Sequence, residues 1–120
     1  MRLDPHYSPT DLNYLGRACF VMGKYEEAIA ALKRCITRSP DFLSPHLVMA
    51  GIQSELGRKE EAQAEVAEVL RISPRASLES HRERAPFKDQ AVLERYLNAL
   101  RKTGLPETSK AAAPLTTEGQ

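Results

Sequence analysis

The chain has 120 residues, 17 Lys and Arg against 16 Asp and Glu, and two cysteines. That length suits one small domain, and the balanced charge gives no electrostatic reason to expect nucleic acid or an anionic membrane as partner. No apolar run approaches the roughly 20 residues of a membrane span, the opening MRLDPHYSPT lacks the apolar segment of a signal peptide, and two cysteines are too few for a disulfide framework, which makes a reducing cytoplasm the default location.

In chain order, residues 1–8 read as the tail of an earlier repeat, because Asp4-Pro5 mimics a stop signal found twice further on. Ser8 is a good N-cap, Pro9 suits the first helical position, and Asp11 completes a capping-box-like start. Apolar residues at 12, 15, 19 and 22 then form a helical stripe that Gly23 ends. A second helix begins near Lys24-Tyr25, carries Ala28, Leu32, Cys35 and Ile36 on one face, and stops at Ser39-Pro40. Ser44-Pro45 opens a third helix that turns at Gly57. The fourth presents Ala62, Val66, Val69 and Leu70 and closes at Ser73-Pro74. Ser77 caps a short helix to about Arg84, which Pro86 breaks. Asp89 caps a final helix near 90–102 with Val92, Leu93, Tyr96, Leu97 and Leu100 on one face. We read that helix as the cap of the array, its alternative being a docking helix for a partner. Residues 105–120 have no apolar period and read as a disordered tail.

The two central units repeat. Gly23 recurs as Gly57, 34 positions on, and in the same register Glu26-Glu27 recurs as Glu60-Glu61, Ala28 as Ala62, Ala30 as Ala64, and Ser39-Pro40 as Ser73-Pro74. The shared phase separates these residues from ordinary helix punctuation. Gly16/Ala50 and Ala28/Ala62 fall where two antiparallel helices would cross, and small side chains there let the axes approach closely.

These positions resemble the tetratricopeptide repeat (TPR) pattern. Unit one, residues 9–42, offers Leu12, Leu15-Gly16, Cys19, Ala28, Leu32, Cys35 and Pro40. Unit two, residues 43–76, offers His46, Met49-Ala50, Gln53, Ala62, Val66, Val69 and Pro74, departing from the family's large aromatics at His46 and Gln53. The resemblance implies an all-α fold, a short right-handed TPR solenoid of antiparallel helix pairs, with residues 77–104 supplying a short helix and the C-terminal capping helix. It also implies a protein or peptide partner docked on the concave face. Carried over position by position, that groove holds Asn13, Arg17, Phe20, Leu47, Gly51 and Ser54. Asn13 and Arg17 suit a peptide backbone or carboxylate, and Phe20 and Leu47 an apolar pocket. The segment 74–107, through Pro86-Phe87-Lys88-Asp89, Leu93-Glu94-Arg95-Tyr96 and Leu100 to Glu107, resembles the C-terminal end of bacterial TPR proteins linked to a class III adenylate cyclase or a transcription-regulator domain. Without such a domain here, it implies no cyclase activity for this chain.

No enzymatic constellation is legible. Cys19 and Cys35 lie at core offsets and read as small buried hydrophobes, with no CxxC or HxxxH spacing for a metal. His6, His46 and His81 stand in separate segments, and the paired glutamates sit at helix starts that favour acids. The basic stretch Arg71, Arg75, His81, Arg82, Arg84 and Lys88, interleaved with Glu79 and Glu83, reads as a solvated surface, its alternative being a weak acidic-partner site. The expectation is therefore a cytoplasmic, non-enzymatic interaction module with no cofactor and no metal. Its rival is a structural or dimerisation segment for an N-terminal catalytic or DNA-binding domain outside this chain. Leu12, Tyr14, Tyr25 and Ile29 are candidates for an apolar edge through which two copies form a homodimer.

Overall fold

The computed structural model describes residues 7–84 and 87–107, in which there are six helices and no strand. They are α1 (Pro9–Val21), α2 (Tyr25–Arg38), α3 (Leu43–Glu55), α4 (Lys59–Ile72), α5 (Leu78–Arg84) and α6 (Gln90–Arg101). The readings placed on residues 1–6, on Pro86 and on 108–120 lie outside the described residues.

α1 begins as its sequence predicts. The Ser8 hydroxyl accepts from the Asp11 amide at 3.1 Å, and the Asp11 carboxylate accepts from the Ser8 amide at 3.2 Å. Two of the orphan amides at the helix start are thereby satisfied reciprocally. α3 departs from the reading of Ser44-Pro45 as its opening. The helix starts one residue earlier, at Leu43, with Phe42 in the cap position and no side-chain cap. Pro45 then falls within the first turn, where its missing N–H has no intrahelical acceptor to lose. Ser44 instead faces α1 and accepts from Asn13 Nδ2 at 3.1 Å.

The repeat is visible in the turns. Gly23 and Gly57 stand at φ +77° and +76°, the left-handed region that other residues resist. The amide after each reaches back to close the helix, Lys24 to the Cys19 carbonyl and Arg58 to the Gln53 carbonyl, both at 2.8 Å. α1 packs on α2 and α3 on α4, and the two pairs stack through α2 and α3. Gly16 is required at the first crossing, because a Cβ there would lie 2.5 Å from Leu32. Between units, Arg58 pairs with Glu26 at 2.8 Å and Arg71 with Asp41 at 3.0 Å. Such exposed pairs set register more than they stabilise.

The stability comes from the shared core. Leu12, Phe20, Leu32, Val48, Met49, Ile52, Val69, Tyr96, Leu97 and Leu100 are all sealed from solvent, and full burial of side chains this size contributes about 1.5–3 kcal/mol each. His46 and Gln53, where the pattern departs from large aromatics, are also buried. His46 lies between Glu65 Oε1 and the Pro40 carbonyl, each 2.8 Å from a ring nitrogen. Unit two thus replaces an aromatic plug with a polar clamp between α4 and the turn before α3.

α6 caps the module across the face made by α1 and α3. It is itself capped by Asp89, whose carboxylate accepts from the amides of Ala91 at 2.8 Å and Val92 at 3.2 Å. Its principal partner is α3. The chain beyond α6 returns to α5, where the Leu78 and Glu79 amides donate to the Pro106 and Glu107 carbonyls at 2.8 and 2.9 Å. α5 and α6 are thereby tied into one unit.

Candidate functional site

The first helices of the two units, α1 and α3, form the face on which the repeat positions place a partner. Gly51 of α3 makes a shelf on that face, and the ring of Tyr96 rests on it. A Cβ at position 51 would meet Cδ1 and Cε1 of Tyr96 at 2.9 Å. Phe20 of α1 is the centre of an aromatic cluster, with ring centroids 5.5 Å from Phe87, 5.6 Å from Tyr96 and 5.8 Å from Tyr25. Phe87 and Tyr96 meet edge to face at 5.0 Å, a favoured aromatic geometry. The Arg95 guanidinium lies 5.3 Å from the Phe20 centroid. The buried Tyr96 hydroxyl finds His81 Nε2 at 2.8 Å. Burial, opposed only by the charge of Arg17, pushes the Tyr96 phenol far above its ordinary range.

The six groove residues therefore divide. Phe20, Leu47 and Gly51 are buried in the core that α6 completes, so the floor expected to be open is occupied by the chain's own C-terminal helix. The reason is chemical. Tyr96, Leu97 and Leu100 make an apolar stripe on α6 that has no other face to cover. Asn13 is also buried, its Nδ2 donating to Ser44 and its Oδ1 without a partner. Ser54 is half-buried at the other end, in a cleft of about 370 Å³ shared with Gly57, Lys59, Ala62, Lys102 and Thr103. Arg17 remains half-exposed, its guanidinium 4.5 Å from the Tyr14 centroid.

Three of the four edge candidates need correction. Leu12 and Ile29 are buried, and Tyr25 turns toward unit two, stacking on Phe20 and donating to Glu55 Oε1 at 3.4 Å. At the start of a second helix, as Tyr25 and Ile29 are, the chain faces the following unit. Only Tyr14 is exposed, at 61%. With it on the outer face of α1 lie Ala18, Val21, 45% exposed, and Met22. Tyr14, Arg17, Ala18 and Val21, with Phe87, line a shallow groove of about 220 Å³. The spacing 14, 18, 21 was legible as a second stripe on α1. Phe87 was not, because only tertiary packing brings it there.

Cys19 and Cys35 are buried in the core and are not joined in a disulfide, and the Cys35 thiol donates to the Pro9 carbonyl at 3.2 Å. Burial raises both thiols above their ordinary range. Among the described residues no three His, Cys, Asp or Glu side chains converge as a metal site, and no helix is long and apolar enough to cross a membrane. In the basic stretch, Arg71 pairs with Asp41 and Glu68, and Arg82 with Glu94.

No curated protein and no solved structure matches the chain. The sequence model of one family, described as tetratricopeptide repeat, matches residues 20–80, from the end of α1 through α4 into α5. Repeats of this kind generally serve as non-catalytic protein-interaction modules. With that match over half of its length, and with two helix pairs in one 34-residue register, the chain belongs to the tetratricopeptide repeat family.

Proposed function

We propose that the chain is a protein-docking module whose docking strip is the outer face of α1. The strip consists of Tyr14, Arg17, Ala18 and Val21, bordered by Phe87. One observation carries this reading. Tyr14 and Ala18 are exposed, whereas Val48 and Ile52, their counterparts one repeat on, are 1% and 0% exposed. α2 covers that side of α3, as the Tyr25–Glu55 bond marks, and among the described residues no helix covers it on α1. The strip is about two turns long, apolar along its centre and flanked by a cation, which suits the apolar side of an amphipathic partner helix.

Docking on the α1/α3 floor itself, at Phe20, Leu47 and Gly51, requires α6 to leave. That would expose Tyr96, Leu97 and Leu100, at about 1.5–3 kcal/mol each, and a partner would have to replace all of it. Arg17 borders both surfaces. A second reading, a structural or dimerisation segment supporting a further domain, is favoured by α6 sealing that floor. A setting beside an adenylate cyclase or transcription-regulator domain rests on the resemblance of residues 74–107 alone. A coding region for such a domain, in frame upstream of Met1, would support it.

A photo-crosslinking residue placed at Ala18, and separately at exposed Gln63 of α4, tests the docking strip. Protein adducts are expected at position 18, are lost with Val21→Asp, and are absent at position 63. Equal adducts at both positions, or none at 18, would reject the strip.

A further inference from the structure

We propose that the cleft between the α3–α4 turn and the end of α6 binds a glutamate-bearing segment of a protein partner, its carboxylate held between Lys59 and Lys102. None of the cleft's residues belongs to the α1 strip, and the site stands or falls independently of that strip. The cleft has a volume of about 370 Å³ and is lined by Ser54, Gly57, Lys59, Ala62, Lys102 and Thr103. That falls within the roughly 300–1,000 Å³ of ligand sites.

The repeat explains why the space is there. In the 34-residue register, Ser54 corresponds to Phe20 and Lys59 to Tyr25. In unit one those two rings stack at 5.8 Å, across the corner between α1 and α2. In unit two a hydroxyl and an ammonium take their places, while the turn glycine and the small residue beside it are kept as Gly57 and Ala62. The corner therefore stays open, and α6 borders it with Lys102 and Thr103.

The charge in the cleft runs against one helix's own preference. Lys59 is the first residue of α4, where the dipole disfavours a cation. Lys102 suits the end of α6, and it borders the same cleft. Among the described residues neither ammonium has an ion-pair or hydrogen-bond partner. The neighbouring acids do not neutralise them: Glu55 accepts from Tyr25, and Glu60 and Glu61 do not line the cleft. The lining also selects among anions. The two lysines come from different helices, and each is a compact point charge. Gly57 and Ala62 bring no polar side chain, which suits the methylenes of a glutamate. Bidentate phosphate recognition favours Arg, and no Arg lines the cleft. Both lysines are exposed, so each contact is weak and screened by salt.

The test is an amide NMR titration of the isotope-labelled full chain with an acetylated, amidated peptide of alternating alanine and glutamate. Its alternating alanine and glutamine analogue and inorganic phosphate serve as the other two arms. The acidic peptide is expected to shift the amides of Ser54, Gly57, Lys59, Ala62, Lys102 and Thr103, and the glutamine analogue to leave them in place. Lys59→Gln and Lys102→Gln should each weaken binding about threefold and together about tenfold, within what two exposed ion pairs supply. Ser54→Phe with Lys59→Tyr, which restores the unit-one pair, should abolish it. Val21→Asp on the α1 strip should leave it unchanged. Shifts centred elsewhere, an equal response to both peptides, or binding that survives the double lysine variant overturns the proposal. So does loss of binding in Val21→Asp, which would move the contact to the strip. Phosphate shifting these amides as strongly as the acidic peptide marks a site for free anions and rejects the peptide assignment.

Discussion

Gly51→Ala is the substitution that interrogates the placement of α6 most directly. Inside a helix, exchanging Gly for Ala ordinarily stabilises by about 1 kcal/mol, since Ala orders at less entropic cost. Here the new Cβ would sit 2.9 Å from two carbons of the Tyr96 ring. That ring is fully buried and held by Phe20, Phe87 and His81, so it has no room to pivot. Overpacking of this kind costs about 1–3 kcal/mol. Set against the helical gain, the upper half of that range applies and the net loss is expected to be about 1–2 kcal/mol. Urea unfolding followed by far-ultraviolet circular dichroism measures it. The same exchange in a Tyr96→Ala background, where the obstacle is gone, should stabilise by about 1 kcal/mol. The two backgrounds close a double-mutant cycle with a coupling of about 2–3 kcal/mol. If Gly51→Ala stabilises equally in both, the ring of Tyr96 does not rest on α3 and the description of the covered face is wrong.

Gly23→Ala and Gly57→Ala should each destabilise by about 1–2 kcal/mol in urea unfolding, the cost of a side chain at positive φ, and by similar amounts, since a Cβ meets nothing within 4 Å at either position. The Cys19 and Cys35 thiols, raised by burial, should resist a thiol reagent in the folded protein even at pH values where free cysteine reacts, and both should react on unfolding. In an alkaline spectrophotometric titration, Tyr96 should ionise last among the tyrosines and only as the fold is lost. Its folded-state pKa is raised, so in the unfolded chain the phenol loses its proton first, near pH 10. The neutral, buried phenol therefore favours the fold fully below that pH, and the contribution is lost as pH rises above it toward the folded value. Tyr25, raised more modestly by burial and by Glu55, moves the same way, and Tyr96→Phe should flatten the alkaline fall in stability.

Much of this architecture could be read residue by residue. Ser8 with Pro9 and Asp11 announced a helix start because a short acceptor must meet the orphan amides there. Gly23 and Gly57 announced turns because a positive φ excludes most other residues. Asp89 announced α6 for the same reason as Ser8. Ser44 misled, since its hydroxyl is used by Asn13 across a helix interface instead of by its own helix end. That choice between a local and a distant partner has no local signature.

The 34-residue register and the caps were consequences of local chemistry, and they determined the helices, their pairing and the family. Which side of each helix faces water was not local. A stripe such as Tyr96, Leu97 and Leu100 demands burial but does not name the surface that provides it. Only the packed structure decided that α6 spends its stripe on Phe20, Leu47 and Gly51, and that Tyr25 and Ile29 look inward. The uncovered residues of α1 are what remained, because burial is allotted over the whole fold while a sequence pattern records only the demand for it.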